Sequence, residues 1–169
     1  MKKEMTSTSY FQTLNIVYYA QMLMLIAFGI VVVFLKPDDL PADDEFGITL
    51  QYVLFALFVG GVAGSFLIPR VVLNNINHSA DLKVKLGKYL PTAIIRAACL
   101  EVPGLFACVV TFLTGNTLYL LTVALLLILF FFYRPTKSLV SEELKLSIGE
   151  RRRLENPNEI VAELEQQGD

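Results

Sequence analysis

Residues Tyr89–Leu113 read YLPTAIIRAACLEVPGLFACVVTFL, and only Arg96 and Glu101 among them are charged. A helix rises about 1.5 Å per residue, so a run of this length crosses a hydrocarbon core about 30 Å thick. The run is continuous, whereas a membrane barrel strand alternates apolar and polar positions over roughly 10 residues. The stretch therefore predicts a spanning helix with two charges inside it.

Three further stretches share the pattern. Ile16–Leu35 stops at Lys36-Pro37, Thr49–Ile68 at Pro69-Arg70 and Leu118–Tyr133 at Arg134-Pro135, while the opening stretch ends in Thr114-Gly115-Asn116. Proline and glycine at such positions terminate helices. The expected fold is an all-α integral membrane protein. A four-transmembrane-helix bundle would occupy residues 1–135 and a cytoplasmic helical tail residues 136–169. Composition agrees: 54% of residues are hydrophobic and 18% charged, against about 25% charged in a soluble domain. That balance, with a mean hydropathy of +0.56, excludes disordered, collagen-like and small disulfide-stapled chains. Four such helices in 169 residues would have nothing to cover them in a soluble fold. The first run is longer than the apolar core of a signal peptide, and no small-x-small site precedes Lys36, so it reads as a retained helix.

Lysine and arginine set the orientation. The N-terminal arm carries Lys2 and Lys3. The first loop sets Lys36 against Asp38, Asp39, Asp43, Asp44 and Glu45. The second loop carries Arg70, Lys83, Lys85 and Lys88, the third no charge, and the tail Arg134, Lys137 and Arg151 to Arg153. The pattern is positive, acidic, positive, neutral, positive, which places both termini in the cytoplasm. Tyr10, Tyr89 and Tyr133 fall at the expected inner interface and Tyr52 and Tyr119 at the outer one, as an aromatic belt in a chain without Trp. The basic edges reflect topology and attraction to anionic lipid heads, with no nucleic-acid partner implied.

The tail is polar and helix-prone. Ser147-Ile148-Gly149-Glu150 has capping-box spacing, and Asn156-Pro157 is a second helix start. Two or three short helices are expected, either as a solvated tail or as a docking surface for a cytoplasmic or membrane partner.

Enzyme chemistry finds little support. Cys99 and Cys108 lie about 13 Å apart along one helix and cannot bridge each other. The lone His78 sits in a loop, and no metal-ligand cluster, nucleophile–base pair or phosphate loop stands out. No metal and no cofactor is expected.

The chemistry inside the spans centres on Glu101, near the middle of its stretch. A charge there costs at least about 2.5–3.5 kcal/mol, so it must face the bundle interior, water or a partner chain. Arg96 is a candidate partner. Five residues turn a helix by about 140°, so the pair needs a wrapped Arg stem or a kink at Pro103. Otherwise Arg96 snorkels towards the headgroups, and the partner of Glu101 comes from the first span. That span carries Asn15, Tyr19 and Gln21, all able to bond across a helix interface. Gly60 and Gly64 form a GxxxG pair suited to close helix packing within the chain or in a homo-oligomer. One reading makes these polar residues a buried cluster that fixes the register of a subunit or scaffold of a membrane assembly. The other makes Glu101 the protonatable carboxylate of a proton- or sodium-coupled channel or transporter component.

The Thr49–Leu113 hairpin resembles the ring-forming proteolipid subunit of rotary ATPases. The likeness rests on the Gly60-Gly61-Val62-Ala63-Gly64 helix, the loop His78-Ser79-Ala80-Asp81-Leu82 with Lys85-Leu86, and the small-residue approach Ala97-Ala98-Cys99-Leu100 to Glu101. The resemblance implies that Glu101 binds a proton or sodium ion. Arg96, the fourth span and the long tail depart from that pattern, and ring assembly is not carried over. As a whole the chain resembles small four-span bacterial membrane proteins.

Overall fold

A computed structural model describes residues 2–35, 44–77 and 80–165. The acidic stretch 38–43 of the first loop, with Lys36-Pro37, and His78-Ser79 of the second loop lie outside the described residues. Strand β1 (Lys2–Thr6) leads into helix α1 (Ser7–Leu35), followed by α2 (Asp44–Asn74) and α3 (Leu82–Thr114). A 3-10 turn (Thr117–Tyr119) opens α4 (Leu120–Phe132). The chain closes with α5 (Lys137–Glu143), α6 (Ile148–Glu155) and strand β2 (Ile160–Glu165). Among the described residues, three helices are long and apolar enough to cross a membrane, or up to four if the turn, α4 and α5 form one broken span.

Each long helix outruns its expected span. α2 continues through Pro69 to Asn74 instead of stopping at Pro69-Arg70. α3 starts at Leu82, seven residues before the apolar run. These extensions belong to a compact unit made of Met1–Tyr18, Ile68–Ile95 and Arg134–Asp169. A second unit comprises Tyr19–Leu67 and Arg96–Tyr133.

The first unit has its own core of Met5, Tyr10, Leu14, Leu82, Leu86, Tyr89, Val140, Leu154 and Val161, with further apolar neighbours. The stretch from α5 to β2 is therefore not a free tail: Val140 of α5, Leu154 of α6 and Val161 and Ala162 of β2 are part of this core. Nor is the chain all-α. β2 pairs antiparallel with β1, from Lys2 opposite Glu165 to Thr6 opposite Ile160, with a bulge between Met5 and Thr6. The helix expected to start at Asn156-Pro157 is absent. Pro157 and Glu159 instead present their carbonyls to the Thr8 and Ser7 N–H groups at 3.3 and 2.9 Å, where α1 begins and its first N–H groups lack helical partners. Ser7 adds a hydroxyl bond to the Leu154 carbonyl. The capping box forms as expected on α6.

Polar ties run through the same unit. The Tyr10 hydroxyl donates to the Leu86 carbonyl at 2.8 Å, and the Tyr89 hydroxyl to Glu143 at 3.0 Å. Both tyrosines are only 1% exposed, so they are core residues and not a lipid-facing belt. Lys85 Nζ lies 2.6 Å from Glu150 Oε1. Arg153 reaches Glu159 at 3.0 Å and Asp81 at 3.6 Å.

Candidate functional site

The second unit holds the two charges that the apolar runs enclose. Gln21 of α1 donates from Nε2 to Glu101 Oε2 of α3 at 3.2 Å. Its other amide atom, Oε1, is buried without a hydrogen-bond partner. The carboxylate and an amide from the first long helix are thus brought together. Tyr19 lies in this unit and is 37% exposed. Asn15 is half-buried and belongs to the first unit.

Arg96 is tied elsewhere. It is buried, and its Nε donates to the Ser65 carbonyl of α2 at 3.3 Å. Its guanidinium carbon sits 5.4 Å from the centroid of the Tyr133 ring, within the range of a cation–π contact. Tyr133 in turn meets Phe66 edge-on at 5.1 Å. The direct Arg96–Glu101 bond is replaced by these separate partners, as the 140° between the two positions favours.

The Ser65 carbonyl is available for a specific reason. Its helical donor would be the N–H four residues on, and that residue is Pro69, which has none. Arg96 takes the acceptor that Pro69 frees. Pro103 does the same to the Cys99 carbonyl within α3, which remains one helix through that proline. The group packed against that carbonyl is Gly61. A Cβ at Gly61 would collide with the Cys99 oxygen and come within 2.9 Å of Pro103 Cγ. A Cβ at Gly60 would meet nothing within 4 Å, so the close approach inside the chain uses Gly61 in place of Gly60. Gly104 is also enclosed, with both Leu25 methyls 2.8 Å from an added Cβ.

A direct consequence is testable. Gly61→Ala forces a methyl into a backbone carbonyl and a proline ring, neither of which can rotate away. The expected loss is about 2 kcal/mol, within the overpacking range. Gly60→Ala, with open space around it, loses nothing. Denaturant titration of the two purified variants compares them, and equal stabilities would show that α2 and α3 do not meet at Gly61.

Ser65, Tyr133 and Gly61 were not legible as site residues. The one available signal was the coincidence of an in-helix proline four residues after an acceptor and a buried arginine on another helix. No family model, no curated protein and no solved structure matches the chain.

Proposed function

We propose that this chain is a non-enzymatic multi-pass protein of the bacterial inner membrane, with both termini cytoplasmic, serving as a subunit or scaffold of a membrane assembly. The observation that carries the reading is how the enclosed polar groups are used. Arg96 and Glu101 are each bound to another helix, one through Ser65 and Tyr133 and the other through Gln21. Polar groups spent on helix-to-helix bonds fix register, which is what a structural component needs. Orientation rests on the Lys/Arg distribution, and the segments flanking the apolar runs carry the paired charges of the first unit.

A second reading has one observation in its favour. Gln21 Oε1 is a buried acceptor without a partner beside the Glu101 carboxylate. A carboxyl proton or a small cation would give that oxygen a partner, as a proton- or sodium-coupled channel or transporter component would require. It is also the role that the likeness to rotary-ATPase proteolipids implies for Glu101.

Glu101→Gln separates the two. The purified variant and the parent are reconstituted, and stability and proton or sodium flux are measured. The structural reading expects no flux from either and little change in stability for Glu101→Gln, whose amide oxygen still accepts from Gln21, while Glu101→Leu loses about 0.6–1.7 kcal/mol, the size of a hydrogen bond between membrane helices. Flux in the parent that disappears in an equally stable variant would overturn it in favour of the second reading.

A further inference from the structure

The second unit carries a cavity of about 630 Å³ that neither reading uses. One wall is α2 from Ile48 to Phe58, and the other is the 3-10 turn and first α4 turns, from Tyr119 to Leu125. It is mostly apolar, with four uncharged polar side chains: Gln51, Tyr52, Tyr119 and Thr122. Tyr52 and Leu125 are more than half exposed, so the cavity is a groove open along its side.

Three features define an occupant. The α2 wall covers ten residue steps, about 15 Å of helix, which is the depth of one leaflet's hydrocarbon. Both walls begin where their apolar runs begin, at the helix ends that the Lys/Arg distribution assigns to the outer face. Among the described residues no charged one lines the groove, while α2 begins just before it with the acidic pair Asp44-Glu45. An anionic head is repelled at that end, and an ammonium is attracted and has the Tyr52 and Tyr119 rings beside it.

We infer that the groove binds a phospholipid of the outer leaflet, with one acyl chain along the α2 wall and an amine-bearing zwitterionic head at the Tyr52/Tyr119 end. This rests on the membrane reading above, and the test separates the two.

The chain has no Trp, so an introduced one is a clean reporter. Leu125→Trp reports on the groove. Ile128→Trp, on an exposed α4 position outside it, reports on bulk lipid. Both full-length variants are reconstituted with increasing phosphatidylethanolamine brominated on its acyl chains. Quenching in the groove should be half-maximal at about fivefold lower mole fraction than at Ile128→Trp. Unlabelled phosphatidylethanolamine should reverse it about fivefold more effectively than phosphatidylglycerol. Tyr119→Trp, which keeps an aromatic ring at the head end, serves if Leu125→Trp does not fold.

Identical curves at the two positions would overturn the site and leave the membrane reading intact. Absence of quenching at both would overturn the membrane reading itself. Equal competition by phosphatidylglycerol would overturn the amine head. Protection of the groove reporter that grows with protein density would show a second copy, and not a lipid, on the groove.

Discussion

Arg96→Ala lowers the stability of the purified protein by about 3 kcal/mol. Two losses add. The first is a charge-assisted hydrogen bond to the Ser65 carbonyl, worth about 1.5–3 kcal/mol for a bond to a charged group. The second is the guanidinium on the Tyr133 ring, worth about 0.5–2 kcal/mol. Removing Arg96 also leaves the Ser65 carbonyl without the donor that Pro69 denies it. That dependence gives the prediction its sharp form. Pro69→Ala restores an N–H to α2, and the Ser65 carbonyl regains a helical partner. In that background Arg96→Ala should cost about 1–2 kcal/mol less, because the Ser65 carbonyl no longer depends on the guanidinium for a donor. A double-mutant cycle in denaturant reads the difference as a coupling energy. Strict additivity would show that Arg96 and Pro69 do not share the Ser65 carbonyl.

The same pair of residues shows how far the sequence can be read. Pro69-Arg70 looks like the end of a helix because proline costs an interior helix about 3 kcal/mol and leaves a carbonyl bare. α2 nevertheless runs on to Asn74. A donor 27 residues along the chain, counted from Pro69 to Arg96, settles the matter, and no local pattern reports that. The long helices themselves were legible, because apolar length and breaks in it are local properties. The tie between Glu101 and the first span was legible as a chemical need, since an enclosed carboxylate must find a donor. Which amide met it was settled by packing.

The first unit was the least legible part. Its strands are short and lie at the two ends of the chain, so nothing near either one announces the partner. Tyr10 and Tyr89 have the spacing of a membrane-interface belt, yet both are buried in a core completed by α5, α6 and β2. Charge counting treated Lys85 and Arg153 as markers of orientation. Both also serve as ion-pair members. Likewise Asp81 and Leu82, read as part of a loop motif, act here as an ion-pair partner of Arg153 and a buried core residue.

Lys85 and Glu150 carry the other large effect, and theirs depends on pH. Glu150 divides its two oxygens: Oε1 takes Lys85 Nζ at 2.6 Å, and Oε2 takes the Ser147 N–H at 2.8 Å as the return half of the capping box. The Lys85 side chain is 3% exposed and that of Glu150 16%. Removing one member of a buried pair costs about 3–5 kcal/mol, and the partial exposure of Glu150 places Lys85→Ala at the lower end, about 3 kcal/mol. Lys85→Met keeps the stem and isolates the charge, and adding Glu150→Gln should recover most of the loss because no unpaired charge remains. Acid acts on the same bond. Burial pushes the Glu150 carboxyl up, but the Lys85 hydrogen bond, the Ser147 bonds and the Lys85 charge together hold it below the usual glutamate value. A carboxyl depressed in the folded state contributes stability above its unfolded pKa and loses it as pH falls through the folded one. The parent should therefore hold its melting temperature from neutral pH down to about pH 5 and then lose it as the solution is acidified further. Glu150→Gln should start lower and show a shallower acid decline. Parallel melting curves for parent and Glu150→Gln across that range would mean that the Lys85–Glu150 bond contributes nothing to the fold.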